Sequence, residues 1–332
     1  MAAPQDTRGI VDPAALLTHV RFRRRLPAPP LRPYIERYWL IDWDLPTSYT
    51  SRVIPHPAIN VTFQWDEDRD EAGGTPYAEL TGIPRGLYTR TLTGRGRVCG
   101  VKFRPGAIRA LAPGVPATWW TGRVVELTEA GRGAAPEAPA DETRSKAARR
   151  AAPEAADEVI VQGAAPEPSR KASPAPLTDP RTSLPPALPD LTALLPALDL
   201  TTPADDEART AVLDAHFLAL PLTPDPQIPL ATRLVERIRE SRDLRRVSDV
   251  AADAGLSARS LQRLFATHVG VTPKWTILRY RLHEALDRAA NAPAPDWPAL
   301  AADLGYADQS HLIRAFTRTL GVPPEAYVQA LT

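Results

Sequence analysis

The chain has one cysteine, Cys99, in 332 residues. A lone thiol can form neither an intramolecular disulfide nor a paired-cysteine zinc site. In the apolar run Val98–Phe103 it fits core packing in a reducing compartment. Charge imbalance is also missing: 40 Lys+Arg oppose 39 Asp+Glu, a net of +1, so bulk charge names no partner. No segment approaches the ~18 consecutive apolar residues of a transmembrane helix. The opening MAAPQDTRGIVDPAALL lacks the basic start and apolar core of a secretory signal. Histidine is scarce: residues 20–127 hold only His56, where a metal site needs three or four ligands. His56 is expected to be structural, and no catalytic, metal or cofactor site is expected.

The charges are unevenly placed. Residues 1–127 carry 17 basic against 12 acidic residues, 128–228 carry 9 against 16, and 229–332 carry 14 against 11. Thirteen of the last fourteen basic residues are Arg, the side chain whose planar fork matches phosphate and guanine.

These features divide the chain. Residues 1–127 are expected to form a β-rich sandwich or barrel, since short β-type runs such as Tyr38–Ile41, Ile59–Phe63 and Val98–Phe103 sit between Gly and Pro turn signals. The aromatics Tyr34, Tyr38, Trp39, Trp43, Phe63 and Trp65 are assigned mostly to its core, some to a small-molecule pocket, and Arg21, Arg23, Arg24 and Arg25 to a solvated arm. Residues 128–204 are Ala, Pro and charge. They offer too little apolar surface to offset ordering entropy, and are expected to be a disordered linker. A connecting helix is expected within 205–228, with Val212, Leu213, Phe217 and Leu220 at helical spacing. Residues 229–332 are expected to be all-α. The fold class is therefore α+β, multidomain.

An internal repeat dominates the last hundred residues. Ala251-Ala252-Asp253-Ala254-Gly255-Leu256 matches Ala301-Ala302-Asp303-Leu304-Gly305-Tyr306 at an offset of 50. Leu261, Arg263, Phe265, Gly270, Val271 and Pro273 match Leu312, Arg314, Phe316, Gly321, Val322 and Pro324 at 51. Each copy reads as a short helix, a glycine that stops it in the left-handed conformation, a capping Ser257 or Asp308, and a second helix. That second helix buries Leu261 and Phe265, or Leu312 and Phe316. It turns Arg259, Gln262 and Arg263, or Gln309, Ser310, Ile313 and Arg314, outward. This is the helix-turn-helix pattern, and Arg and Gln are side chains that pair bidentately with guanine and adenine. Between the copies, Pro273–Ala290 reads as one helix, with Trp275 and, beyond it, Trp297 assigned to the core. Its roughly 27 Å length is close to the ~34 Å between successive major grooves on one DNA face.

Ser257-x-x-x-Leu261-Gln262-Arg263-Leu264-Phe265, Gly305-Tyr306-x-Asp308-Gln309-Ser310-His311-Leu312-x-Arg314-x-Phe316 and Gly321-Val322-x-Pro324-x-x-Tyr327 resemble the DNA-binding domain of the AraC/XylS family of transcription regulators. Pro33-Tyr34-Ile35, Ile54-Pro55-His56-Pro57 and Gly100-Val101-x-Phe103-x-Pro105-Gly106 resemble, more loosely, an uncharacterised regulatory domain found on some of them. The resemblance implies DNA contacts from Arg259, Gln262, Arg263, Gln309, Ser310, His311 and Arg314. Double-stranded DNA is the expected partner. RNA polymerase, a small-molecule effector and a second copy of the chain are further candidates, and no membrane contact is expected. The expected compartment is the cytoplasm. The competing reading is a DNA-repair or other enzyme with an accessory helix-turn-helix. It needs an activated cysteine or a nucleophile–base pair, and Cys99 in an apolar strand supplies neither.

Overall fold

The computed structural model describes residues 7–127, 188–203, 205–292 and 295–331. The N-terminal domain is built on one six-stranded antiparallel sheet, in the order β1-β2-β5-β3-β4-β6. Its strands are β1 (Arg21–Arg25), β2 (Ile35–Val53), β3 (Asn60–Asp66), β4 (Tyr77–Thr81), β5 (Tyr88–Phe103) and β6 (Val124–Leu127). All three runs read as strands from composition lie in this sheet, apart from Ile59, which precedes β3. The edges β1 and β6 do not pair with each other among the described residues, so the β-rich domain takes the form of a single sheet. The long β2–β5 ladder breaks its register between Leu45 and Tyr49, where Pro46 has no N–H for the ladder and a bulge absorbs the mismatch.

Alternation along the strands gives the sheet two different faces. Tyr38 and Leu40 of β2, Val61 and Phe63 of β3, and Cys99, Val101 and Phe103 of β5 share one buried cluster. Burial pushes the Cys99 thiol up to about 12, so it stays protonated and unreactive at neutral pH. Over this face lie α2 (Ile108–Leu111), α3 (Leu195–Leu198) and α4 (Asp206–Ala219). The opposite face carries Trp39, Ile41 and Trp43 under a leader that contains α1 (Pro13–His19).

Two expectations about this half need correction. Leu191, Leu194, Leu198 and Leu200 fall in the stretch read as linker, yet they bury in the same cluster as Leu127. The rest of the stretch read as a disordered linker, residues 128–187, lies outside the described residues. Likewise α4 packs Leu213 and Phe217 into this core, so it belongs to the N-terminal domain and does not merely connect. The second correction concerns the arginine arm. Arg21–Arg25 is strand β1, with Arg23 bridging Asp42 at 2.7 Å and Asp206 at 2.6 Å. Arg23 holds the Asp206 carboxyl below its usual range against the opposing effect of burial.

The C-terminal half is helical: α5 (Gln227–Glu240), α6 (Val247–Asp253), α7 (Ala258–Leu264), α8 (Pro273–Ala290), α9 (Trp297–Asp303), α10 (Gln309–Leu320) and α11 (Pro324–Leu331). A single π-type turn, Phe265–Val269, prolongs α7. Two cores result. Leu234, Val250, Leu261 and Phe265 form one with Ile277 from the first half of α8. Leu300, Leu312, Phe316 and Tyr327 form the other with Leu282 and Leu286 from its second half. Trp297 is buried in that second core, whereas Trp275 is only partly buried and packs on the N-terminal cluster.

The two halves are in contact. The Thr232 hydroxyl donates to the Pro105 carbonyl at 2.9 Å, Arg104 pairs with Glu236 at 2.6 Å, and the Thr121 hydroxyl donates to the Gly270 carbonyl at 2.6 Å. Asp225 joins Arg109 (3.2 Å) to His268 (3.0 Å). Val11 and Ile54 lie inside the second helical core, and the Tyr327 hydroxyl donates to the Val11 carbonyl at 2.8 Å.

The His56 and His283 rings meet at 4.4 Å in this interface. Burial holds both below the ordinary imidazole range. Lys102, His283 and Arg37 add to this at His56, against the hydrogen bond that the ring donates to the Arg8 carbonyl. Arg279 and Lys102 add to it at His283, against the Ile54 and Pro55 carbonyls, and bring that ring to about 3. A base whose folded pKa is depressed contributes stability that is complete above its unfolded pKa, about 6.5, and is lost as pH falls below it. Between pH 6.5 and pH 5 the expected loss from His283 alone is about 2 kcal/mol. Urea unfolding at pH 7 and pH 5 measures it. A His283→Leu variant should show a shallower pH dependence, and an unchanged slope would remove His283 as its source.

Candidate DNA interface

Both copies of the repeat fold as read. In the first, α6 stops at Gly255, which takes φ +62°, and the Ser257 hydroxyl then accepts from the Ser260 N–H at 3.1 Å to start α7. In the second, α9 stops at Gly305, φ +69°, and Asp308 accepts from the His311 N–H at 2.6 Å to start α10. Each cap is worth about 1 kcal/mol. The core sides are fully closed: Leu261, Phe265, Leu312 and Phe316 are all 0% exposed.

The outward sides differ. On α7, Arg259, Gln262 and Arg263 are all exposed. On α10, Ser310, His311 and Arg314 are exposed, but Gln309 and Ile313 are half-buried. The His311 ring packs edge-on to Tyr306 at 5.3 Å. The structure thus brings Arg259, Gln262 and Arg263 onto one short surface, and sets Gln309 apart from its neighbours on α10. One residue went unread in the sequence: Arg318 is exposed one turn beyond Arg314 on α10. Its i, i+4 spacing from Arg314 was the available signal.

Ion pairing separates the arginines of this half into two sets. Arg237 bonds Asp253, Arg242 bonds Glu284, and Arg288 bonds Glu284 and Asp303. Arg281 donates to the Gly305 carbonyl at 3.0 Å and to the Arg245 carbonyl at 2.5 Å, and Arg245 donates to the Asp303 carbonyl at 3.3 Å. The last three bonds join the first unit and α8 to the glycine turn of the second. They brace the two units beyond what the shared helix alone provides. By contrast, Arg259, Arg263 and Arg314 make no hydrogen bond or ion pair among the described residues. Exposed guanidinium groups at the faces of two braced helices leave their donors available to an external acceptor.

A family model described as a helix-turn-helix domain matches residues 250–330, and a domain of unknown function, DUF6597, matches residues 23–126. No curated protein matches. Among solved structures, the C-terminal domain of AraT, a response regulator from Geobacillus stearothermophilus, is 22% identical. That match covers 32% of this chain and 86% of AraT's, with a TM-score of 0.28. ToxT from Vibrio cholerae is 10% identical over 94% of this chain and 99% of its own, with a TM-score of 0.37. Overlaps this loose carry no argument about either fold or function.

Proposed function

We propose that this chain is a transcription regulator whose helix-turn-helix domain is of the AraC type, and that it reads two successive major grooves on one face of duplex DNA with α7 and α10. The observation that carries the reading is the set of exposed guanidinium groups on those helices, next to arginines already engaged in bracing the units. Arg259, Gln262 and Arg263 contact base edges from α7, and Arg314, Gln309, Ser310 and His311 contact DNA from α10. Randomised-site selection with the full chain tests this. The expected product is two half-sites about one helical turn apart. A single half-site would sink the two-groove reading.

The helices are unequal readers. Two Arg and one Gln on α7 offer bidentate pairing, which discriminates bases by about 1–3 kcal/mol each. On α10, Gln309 is half-buried, His311 leans on Tyr306, and the position matching Gln262 is Ile313. The half-site under α7 should therefore carry more sequence information. Arg259→Ala should relax the selected sequence, while Ile313→Ala leaves it nearly unchanged. A base preference erased by Ile313→Ala would reverse the ranking.

The N-terminal domain modulates this reader. Support comes from the contacts at Val11, His56, Thr121 and Asp225, which touch both helical units. A signal in the sheet domain has a packed route to the DNA-binding surface.

A further inference from the structure

Among the described residues, nothing fills the sheet face opposite the main core. Between it and the leader lies a cavity of about 260 Å³. An apolar cavity of ~150 Å³ holds a benzene ring, so this one accommodates about ten non-hydrogen atoms. The strand register explains how the space arises. Trp39 pairs with Gly100 and Trp43 with Gly96. A Cβ at either glycine would stand 2.0 Å from the facing indole. Each indole thus lies flat on glycine backbone, and both line the cavity. A ligand stacks on aromatic faces held this way.

The chemistry around these faces is one-sided. Among the described residues, Arg8, Arg24, Arg37, Arg90 and Lys102 line the cavity, and no Asp or Glu does. Three carboxylates stand just outside, one of them Glu79, which accepts from the Thr81 hydroxyl at 3.0 Å. Glu36 reaches Lys102 at 3.1 Å and also bonds Arg37, and Asp66 reaches Arg90 at 3.0 Å. Burial alone would raise Glu36, but Lys102 and Arg37 overcome it and hold it at about 2. The polar floor is Thr62 and Gln64 of β3, linked by a 2.8 Å bond from the Gln64 amide to the Thr62 hydroxyl.

We propose that this cavity is a binding site for a flat, ring-bearing organic anion, with the ring on Trp39 and Trp43 and the anionic group among the arginines and Lys102. Five lining cations disfavour a cationic ligand on the same indole faces, and a neutral one would forgo the charge interaction. The proposal deepens the reading of the N-terminal domain as a modulator. Its walls include Arg8 and Ile10 of the leader and His56. The adjoining Val11 accepts from Tyr327 of α11, and His56 meets His283 of α8.

Calorimetry on the full chain with three probes of about a dozen non-hydrogen atoms each tests it: indole-3-carboxylate, its neutral carboxamide, and decanoate. The expected result is one-to-one binding of indole-3-carboxylate, at least tenfold tighter than either of the others. Thr62→Phe, which fills the floor, and Arg24→Gln should each weaken it at least tenfold with little change in melting temperature. Carboxamide binding as tight would overturn the anion assignment. Tighter decanoate binding would overturn the flat ring, and binding by none of the three would overturn the site. If a variant fails to fold, the ranking of the three probes on the unmodified chain decides alone. Calorimetry needs no DNA. Failure of the unliganded chain to bind DNA therefore strikes the recognition-helix reading and leaves the cavity assignment standing.

Discussion

The full chain carrying Arg263→Ala together with Arg314→Ala should lose about 2–6 kcal/mol of affinity for its selected site. Each arginine contributes about 1–3 kcal/mol when bidentate to a base. The two sit on different helices with separate cores, so their effects should add. The loss should be far smaller on random DNA. The last 104 residues carry only 14 basic against 11 acidic side chains, and several of the basic ones are engaged in braces. Few phosphates are then neutralised, and non-specific affinity is weak from the start. Titrations on the selected site and on a scrambled duplex at one salt concentration give the comparison. Equal losses on both would make these arginines phosphate contacts that position without reading.

Phe316→Ala should cost about 3–5 kcal/mol, the usual range for removing a buried phenyl group. Phe316 is fully buried, with Trp297 at 6.2 Å and Tyr327 at 5.5 Å between ring centres. The distribution of the effect matters more than its size. The same core contains Val11 and Ile54 from the N-terminal half. Amide exchange should therefore accelerate at Val11, whose N–H bonds the Arg52 carbonyl, and at Ile54, whose N–H bonds the Gly9 carbonyl. Leu261 and Val250, in the other helical core, should stay protected. Loss of protection confined to α9–α11 would mean that the leader is held by the sheet alone. It would also remove the leader as a route between cavity and reader.

Much of the reader was legible in the sequence because its determinants are local. A glycine at the end of a short helix, a Ser or Asp cap, and a Leu/Phe pair four residues apart act over a few residues. They repeat at offsets of 50 and 51, so each copy checks the other. Six of the seven DNA-contact candidates sit on the outward faces set by that periodicity, and His311 came from the family resemblance. The alignment of Gln262 with Ile313 already marked the two helices as unequal, but the differing exposure on α10 was not legible. Gln309 loses exposure and His311 packs on Tyr306 through contacts with the turn before α10. The strands were legible from β-branched and aromatic runs with turn signals.

The sequence by itself determined two helix-turn-helix units, a β-rich domain before them and a buried, unreactive Cys99. Each is set by short-range pattern, composition or the identity of one residue. The tertiary structure alone decided that Leu191–Leu200 closes the N-terminal core, that Arg23 is spent on Asp42 and Asp206, and that the leader joins the second helical core. It alone placed His56 against His283 and laid two tryptophans on two glycines to open a cavity. Those features depend on pairs 19 to more than 300 residues apart. No local pattern encodes such pairs, since burial and ion pairing at those positions are fixed only once the elements pack.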